Sequence, residues 1–429
     1  MFAGVVATAL GLFRLGRPSL WLDELASMQI ASSRWSTAWH FATGRELHSG
    51  WYHVMTWPWV RIFGTSETGL RSMSIVFGVA AVIVLMVLTR RLFGTRAALL
   101  VAPLFLIQAQ TIHYFQEGRT YSLAMLMSSV STLALVRALD DRESTRRWLT
   151  YGVVAGIAAY AHLFMAFVIA AHLAVVAVRR LWPARTAALA AIASFSVVVI
   201  PLLLFSTKGY DNVAWIPSTT SAAVKEAAVL IVLGGGRVYW LAPVALLLAW
   251  RVWLAREDRD DLTAITLVSV WLVLPFVLAI AVSTVKPLFI AYYLDVCVPA
   301  AAIALAAAFD ALIKRSAVFA TIGIAVLLLH NGRALVDWYD GVPAKDDYRS
   351  AVAFACADAG GDGEVGFGPQ LSSARYYETP ACGVTVAPRR LLVIVRTTDA
   401  RPIVGGWTIT ATRAFVGVDV VTLIPSPVR

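Results

Sequence analysis

Long apolar runs, broken by short basic connectors, constrain this chain more than any other feature. Crossing a bilayer takes about 20 apolar residues, with a range of roughly 17–25. Runs near that length lie at about 1–16, 68–89, 97–113, 120–138, 148–161, 163–178, 186–206, 238–255, 262–283, 288–309 and 316–333. We therefore expect about eleven crossings and an all-α polytopic membrane protein. The pair meeting at Ala161–His162 reads either as a hairpin that turns at membrane depth or as one long helix. Charge content agrees with the class. Only 14% of the 429 residues are charged and 59% are hydrophobic, whereas a soluble domain carries about a quarter charged residues.

The formal net charge of +10 does not point to nucleic acid. Its arginines gather in RRLFGTR (90–96), RALDDRESTRR (137–147), RRLWPAR (179–185), RVWLAREDRDD (251–261) and IKRS (313–316). These connectors alternate with longer, less densely basic loops at 17–67, 114–119, 207–237 and 284–287. The positive-inside rule puts the first set in the cytoplasm and the second outside. An odd number of crossings then leaves the C-terminal tail outside. The remaining basic surface suits anionic lipid headgroups. The first apolar run lacks a basic start and a small-residue cleavage pattern, so it reads as a short first helix and not a signal peptide.

Composition changes after Leu329. Residues 335–429 hold no spanning run, and they read as a small extracytoplasmic α/β domain appended to a membrane module at 1–334 that includes the first outer loop, 17–67. A helix is expected over DDYRSAVAFACADAG, ended by Gly360–Gly361, with strands at EVGFG, RRLLVIVR and DVVTLIP. Cys297 sits in an apolar run and reads as a small core residue. Cys356 and Cys382 lie in the tail and would be able to pair in an oxidising compartment.

Three polar stretches interrupt this pattern. The first holds Asp23 and Glu24, flanked by Trp21 and Leu22. Neighbouring carboxylates can serve as a general base or hold a divalent cation; equally, Asp23 can cap the helix that follows. The aromatic segments SRWSTAWHFATG and WYHVMTWPWVRIFG in the same loop read as helices lying in the membrane interface. The second stretch, YFQEGRTYSL (114–123), packs Gln116, Glu117, Arg119 and Tyr121 into six residues at a membrane boundary. Arg119 can pair with Glu117, bind a phosphate, or simply snorkel to the interface. The third, STVKPLFIAYYLD (283–295), places Lys286 in a short outer loop. It also puts Asp295 inside an apolar run, where a carboxylate needs a partner or an aqueous cavity. His48, His53, His113 and His162 stand singly. No HxxxH or HExxH spacing suggests zinc.

Taken together and in order, these stretches resemble the GT-C class of membrane glycosyltransferases. More narrowly, they resemble the protein O-mannosyltransferase and aminoarabinose-transferase superfamily in its actinobacterial branch. The resemblance rests on LWLDE (20–24), LHSGWYHVMTWPWVRIFGTSETGLRSMS (47–74), YFQEGRTYSL (114–123), WIP (215–217), KPLF and YYL within 286–294, and KDDYRSAVAF (345–354). It implies that Asp23 is the acidic residue of the first outer loop, acting as base on the acceptor hydroxyl or holding a magnesium or manganese ion, with Glu24 as its companion. It implies that His48 and Tyr52 line the donor side, and that Glu117, Arg119 and Tyr121 face the same cavity. Lys286 would contact the donor phosphate. One departure stands out. Many relatives have Arg-Tyr where this chain has Tyr292–Tyr293, which shifts the phosphate contact toward Lys286 and Arg119.

The activity so implied is inverting transfer of a monosaccharide, mannose above all, from a polyprenyl-phosphate sugar. The acceptor would be a glycan, lipid or protein hydroxyl on the outer side of the cell membrane. Membrane lipids are partners and nucleic acid is not. The competing readings are a lipid or polysaccharide transporter, or a non-catalytic accessory subunit of the same fold. A transporter of this size should show internal repeats with broken helices in matching halves, and no such symmetry is visible.

Overall fold

The computed structural model describes residues 2–44, 50–206, 216–341, 345–360, 362–368, 371–379, 382 and 388–426. The chain divides into two compact units. Unit 1 is Met1–Phe13, Trp35–Met55 and Arg71–Trp338; unit 2 is Arg14–Arg34, Thr56–Leu70 and Tyr339–Arg429.

Helices follow one another along the sequence as α1 (Phe2–Leu12), α2 (Leu22–Ser32), α3 (Trp35–Gly44), α4 (Gly50–Phe63), α5 (Glu67–Phe93) and α6 (Thr95–Leu106). Next come α7 (Ala109–Phe115), α8 (Tyr121–Leu139), α9 (Thr145–Ala159), α10 (Met165–Val178), α11 (Arg185–Ser206) and α12 (Ser221–Leu233). The last are α13 (Leu241–Ala255), α14 (Arg259–Ser283), α15 (Val298–Arg315), α16 (Ala317–Asp340) and α17 (Tyr348–Ala359).

By length and composition, seven helical segments among the described residues can cross a membrane. They are Glu67–Phe93, Tyr121–Leu139, Arg185–Leu204, Val238–Ala255, Arg259–Ser283, Ala291–Arg315 and Ala317–Asp340. Helices α6 and α7 meet at a bend of 72° and make an eighth if they form one span. The other three apolar runs coincide with the shorter helices α1, α9 and α10. Of the two readings at Ala161–His162, the chain takes the broken one, since α9 ends at Ala159 and α10 begins at Met165.

Local sequence explains the packing of unit 1. Helix α15 is buried from Val298 to Asp310 and is rich in alanine, so its neighbours approach its backbone closely. Pro299 opens it and Lys314 and Arg315 close it, each at the end its chemistry favours. Helix α9 packs on α11 through Gly152 and Gly156. A Cβ on Gly152 would stand 2.3 Å from the Ala191 carbonyl oxygen, so only glycine permits this approach. The helix α12 falls inside the expected outer loop 207–237. Its thirteen residues are shorter than a span, so hydropathy alone marks no membrane helix there.

In unit 2, α17 lies on a four-stranded sheet built from β1 (Gly363–Phe367), β2 (Arg390–Arg396), β3 (Trp407–Phe415) and β4 (Val418–Pro425). The strand order is β1-β2-β4-β3, with β1 and β2 parallel and the other pairs antiparallel. One core joins Tyr348, Val352 and Cys356 of α17 to Leu392, Ile394 and Val420 of the sheet. The same core takes in Leu20, Leu25, Met28, Val60 and Leu70 from the first loop. The two loop segments 14–34 and 56–70 therefore fold with the tail. The expected helix and three expected strands are present. The strand β3 was not expected: WTITATRAF is exposed along most of its length and carries no buried stripe for alternation to reveal. Cys356 and Cys382 are disulfide-bonded, and Cys297 is buried and free.

Alkylation under denaturing, non-reducing conditions should accordingly label one cysteine, and after reduction all three. Mass spectrometry reads the count, and three labels without reduction would contradict the bond.

Candidate active site

The two adjacent carboxylates stand in different surroundings. Trp21 is the N-cap of α2 and both acids fall in its first turn, where negative charge offsets the helix dipole. Glu24 is fully buried; its Oε2 accepts from the Trp21 amide at 3.4 Å and from Lys345 Nζ at 3.3 Å. Lys345 is itself 9% exposed, so this is a buried ion pair. Asp23 is half-buried, and its carbonyl takes the Ser27 hydroxyl at 2.9 Å. The cap reading of Asp23 does not hold, because the capping contact belongs to Glu24.

KDDYRSAVAF locks this loop in place. Asp347 caps α17 by accepting from the Ser350 amide. Arg349 donates to the Gly16 and Arg17 carbonyls and, at 2.5 Å, to Glu67 Oε1. Tyr377 donates to the same Glu67 oxygen and accepts from the Leu20 amide at 2.7 Å. Burial pushes the Tyr377 phenol above its usual range, so it stays a neutral hydrogen-bond donor. Residues 16–20, immediately before Trp21, are thus anchored by Arg349 and Tyr377. Among the described residues Trp21 Nε1 is buried without a hydrogen-bond partner, a donor that a ligand oxygen would satisfy.

The other described candidates belong to unit 1. Tyr52 is fully buried, with its hydroxyl 3.1 Å from Ser74 Oγ, and Ser74 in turn donates to the Arg119 carbonyl at 3.4 Å. Glu117 and Arg119 are 2% and 6% exposed. Glu117 Oε2 lies 2.7 Å from His113 Nε2, one helical turn earlier. His113 stacks on Trp338 at 4.1 Å. Gln116 is structural. Its amide nitrogen donates to the carbonyls of Gly11 (2.9 Å) and Phe13 (2.7 Å), and its oxygen accepts from Trp338 Nε1. Those donations satisfy the carbonyls that the end of α1 leaves open.

Tyr121 and Tyr292 are brought together, with ring centroids 5.6 Å apart in an edge-on arrangement. Tyr114 lies 4.7 Å from Tyr121, and Tyr293 lies 4.9 Å from His162. Tyr292 and Tyr293 therefore belong to an aromatic cluster. Lys286 follows the C-terminus of α14 and is half-buried. Asp295 is 1% exposed. Gln110 Nε2 donates to its Oδ1 at 3.3 Å, while Oδ2 has no partner among the described residues. His48 lies outside the described residues.

Two residues were missed as site candidates. Lys345 was legible as the first residue of KDDYRSAVAF, yet its partner is 321 positions away. Arg71, within LRSMS, is fully buried, which hydropathy alone does not show for an arginine. No cluster of three His, Cys, Asp or Glu side chains able to hold a metal occurs among the described residues. With Glu24 bound to Lys345, a divalent ion at this pair would take Asp23 alone.

Residues 51–206 match the family model described as dolichyl-phosphate-mannose-protein mannosyltransferase. No curated protein matches the chain in sequence. Among solved structures it is similar to ArnT from Cupriavidus metallidurans bound to undecaprenyl phosphate, at 14% identity and a TM-score of 0.67, covering 98% of this chain and 97% of that one. The apo state of that protein gives 16% and 0.63 with the same coverage. The archaeal oligosaccharyltransferase AglB from Archaeoglobus fulgidus, in complex with an inhibitory peptide and a dolichol-phosphate, gives 12% and 0.50, over 90% of this chain and 60% of that one. The chain is thus a multi-pass membrane protein with the GT-C fold. Its resemblance to the mannosyltransferase and aminoarabinose-transferase group is shown by sequence over 51–206 and by fold over nearly all of its length.

Lys345→Met should remove the cation beside the buried Glu24 carboxylate, at a cost of about 3–5 kcal/mol. Adding Glu24→Gln should recover most of it. Denaturant unfolding of the two purified variants measures the difference, and equal stability of both would show that the pair contributes nothing.

Proposed function

We propose that this chain is an inverting glycosyltransferase. It moves a monosaccharide, mannose in the first instance, from a polyprenyl-phosphate carrier to a hydroxyl of an envelope glycan, lipid or protein. The single observation that carries this reading is the fold likeness over 98% of the chain to a protein solved with undecaprenyl phosphate. The family description supplies mannose as the first sugar to try.

In this mechanism the acceptor oxygen attacks the anomeric carbon while the Asp23 carboxylate takes its proton. The bond from that carbon to the phosphate oxygen breaks, and the phosphate leaves with the electron pair. Lys286 and Arg119 stabilise the charge developing there. Glu24, committed to Lys345, positions Asp23 and takes no proton. Tyr52, Glu117, Tyr121, Tyr292 and His48 belong to the donor side.

The disulfide supports an outer location for the tail, because such bonds persist in oxidising compartments. Eleven crossings, counting α1, α9 and α10, keep the first loop and the tail on one side.

Purified full-length protein with radiolabelled polyprenyl-phosphate mannose and other polyprenyl-phosphate sugars tests the reading. Wild type should transfer label, and Asp23→Asn should lower the rate by about 10²–10⁴-fold, the scale of general-base catalysis, with its melting temperature unchanged. Intact transfer by Asp23→Asn would overturn the base assignment. No transfer by wild type from any donor would favour a transporter or an accessory subunit.

A further inference from the structure

A cavity of about 940 Å³ opens in unit 1, and none of the residues assigned above to transfer lines it. Each of the five basic connectors contributes to its wall, through Arg91, Arg142, Leu181, Arg259 and Lys314. All five therefore gather at one end of unit 1. Deeper wall comes from apolar side chains of membrane helices, Val136 of α8, Val175 of α10, Leu267 of α14 and Ala307 of α15.

The lining itself carries five basic and five acidic side chains, and the surplus of positive charge comes from two further arginines, Arg96 and Arg147, that share its acids. Asp140 pairs with Arg91, and Asp261 holds Arg251 through both of its terminal nitrogens. Asp310 pairs with Lys314 at 2.6 Å. Asp258 is used as the cap of α14, accepting from the Asp260 and Asp261 amides. Two guanidinium groups, those of Arg142 and Arg259, have no ion-pair partner among the described residues, and two lining acids, Asp258 and Asp260, have none either; but Arg147 shares Asp140 with Arg91 and Arg96 shares Asp310 with Lys314, so seven cations face five acids. Arg251, 6% exposed, also keeps its Nε–H buried without an acceptor there.

We propose that this cavity binds a phosphate-headed lipid of the adjacent leaflet, with the phosphate between Arg142 and Arg259 and part of a chain against the apolar wall. Guanidinium groups suit phosphate oxygens in geometry and charge, and basic pockets between membrane helices are where anionic headgroups bind. A soluble phosphate would use the charged rim and leave the apolar interior without purpose. The volume lies within the range of ligand pockets, roughly 300–1,000 Å³. The inference does not depend on the transferase reading.

Native mass spectrometry of the full chain in mild detergent tests it. Phosphatidylglycerol and phosphatidylcholine with matched chains would be added, and inorganic phosphate would be offered in a separate titration. Wild type should retain phosphatidylglycerol with a preference of about tenfold or more, as expected when two cations face one phosphate. Arg142→Ala with Arg259→Ala should bring the two lipids near parity, and the double lysine variant should keep the preference. Asp260→Asn removes a competing acid and should strengthen retention, a gain that misfolding cannot imitate. Equal retention of both lipids by wild type would overturn the proposal. So would an unchanged preference in the folded double alanine variant, or arginine-dependent binding of inorganic phosphate without that of phosphatidylglycerol.

Discussion

A helix that ends within an apolar layer leaves carbonyl groups that water does not reach, and each has to find a donor inside the protein. Gln116 meets that demand for α1, donating to Gly11 and Phe13. Its oxygen receives Trp338 from α16, so one side chain ties the first helix of unit 1 to its last. Trp338 stacks on His113, and His113 meets Glu117. The orientation of the acidic residue in QEGRTY therefore depends on backbone satisfaction elsewhere. Polar residues in this motif are spent first on closing the bundle, and only the remainder can face a substrate.

Unit 2 solves a different problem. A carboxylate fully removed from water needs a cation beside it, and Lys345 supplies one to Glu24 from the start of the tail. Arg349 and Tyr377 anchor the residues just before Trp21. The tail helix and the first loop consequently share one core. This arrangement separates Asp23 from Glu24 in role although they are adjacent in sequence: one carboxylate is an anchor, and the other sits half-buried at the head of a helix.

Much of the membrane region was legible because hydropathy is a local property. Every expected apolar run coincides with a helix, and the break near Ala161 was visible as an ambiguity. Where the reading failed, the local signal was missing. The strand β3 has no buried stripe, and α12 is too short to register as a span. The site motifs stood out as polar residues in apolar surroundings, but their internal roles did not. QEGRTY stands out as one dense polar stretch, but sequence does not show that Gln116 is a helix clamp or that Glu117 meets His113. Tyr292 stands where the family resemblance implies an arginine, and it packs among aromatic rings.

Periodicity, apolar length and the placement of arginines settled the class of this protein, because each acts over one turn of helix or one membrane thickness. Only the tertiary structure decided that Glu24 pairs with Lys345, that Gln116 joins two distant helices, and that five connectors surround one cavity. Those outcomes depend on which buried charges and open carbonyls meet after the chain has packed. A residue's neighbours in sequence carry no information about a partner more than two hundred or three hundred positions away.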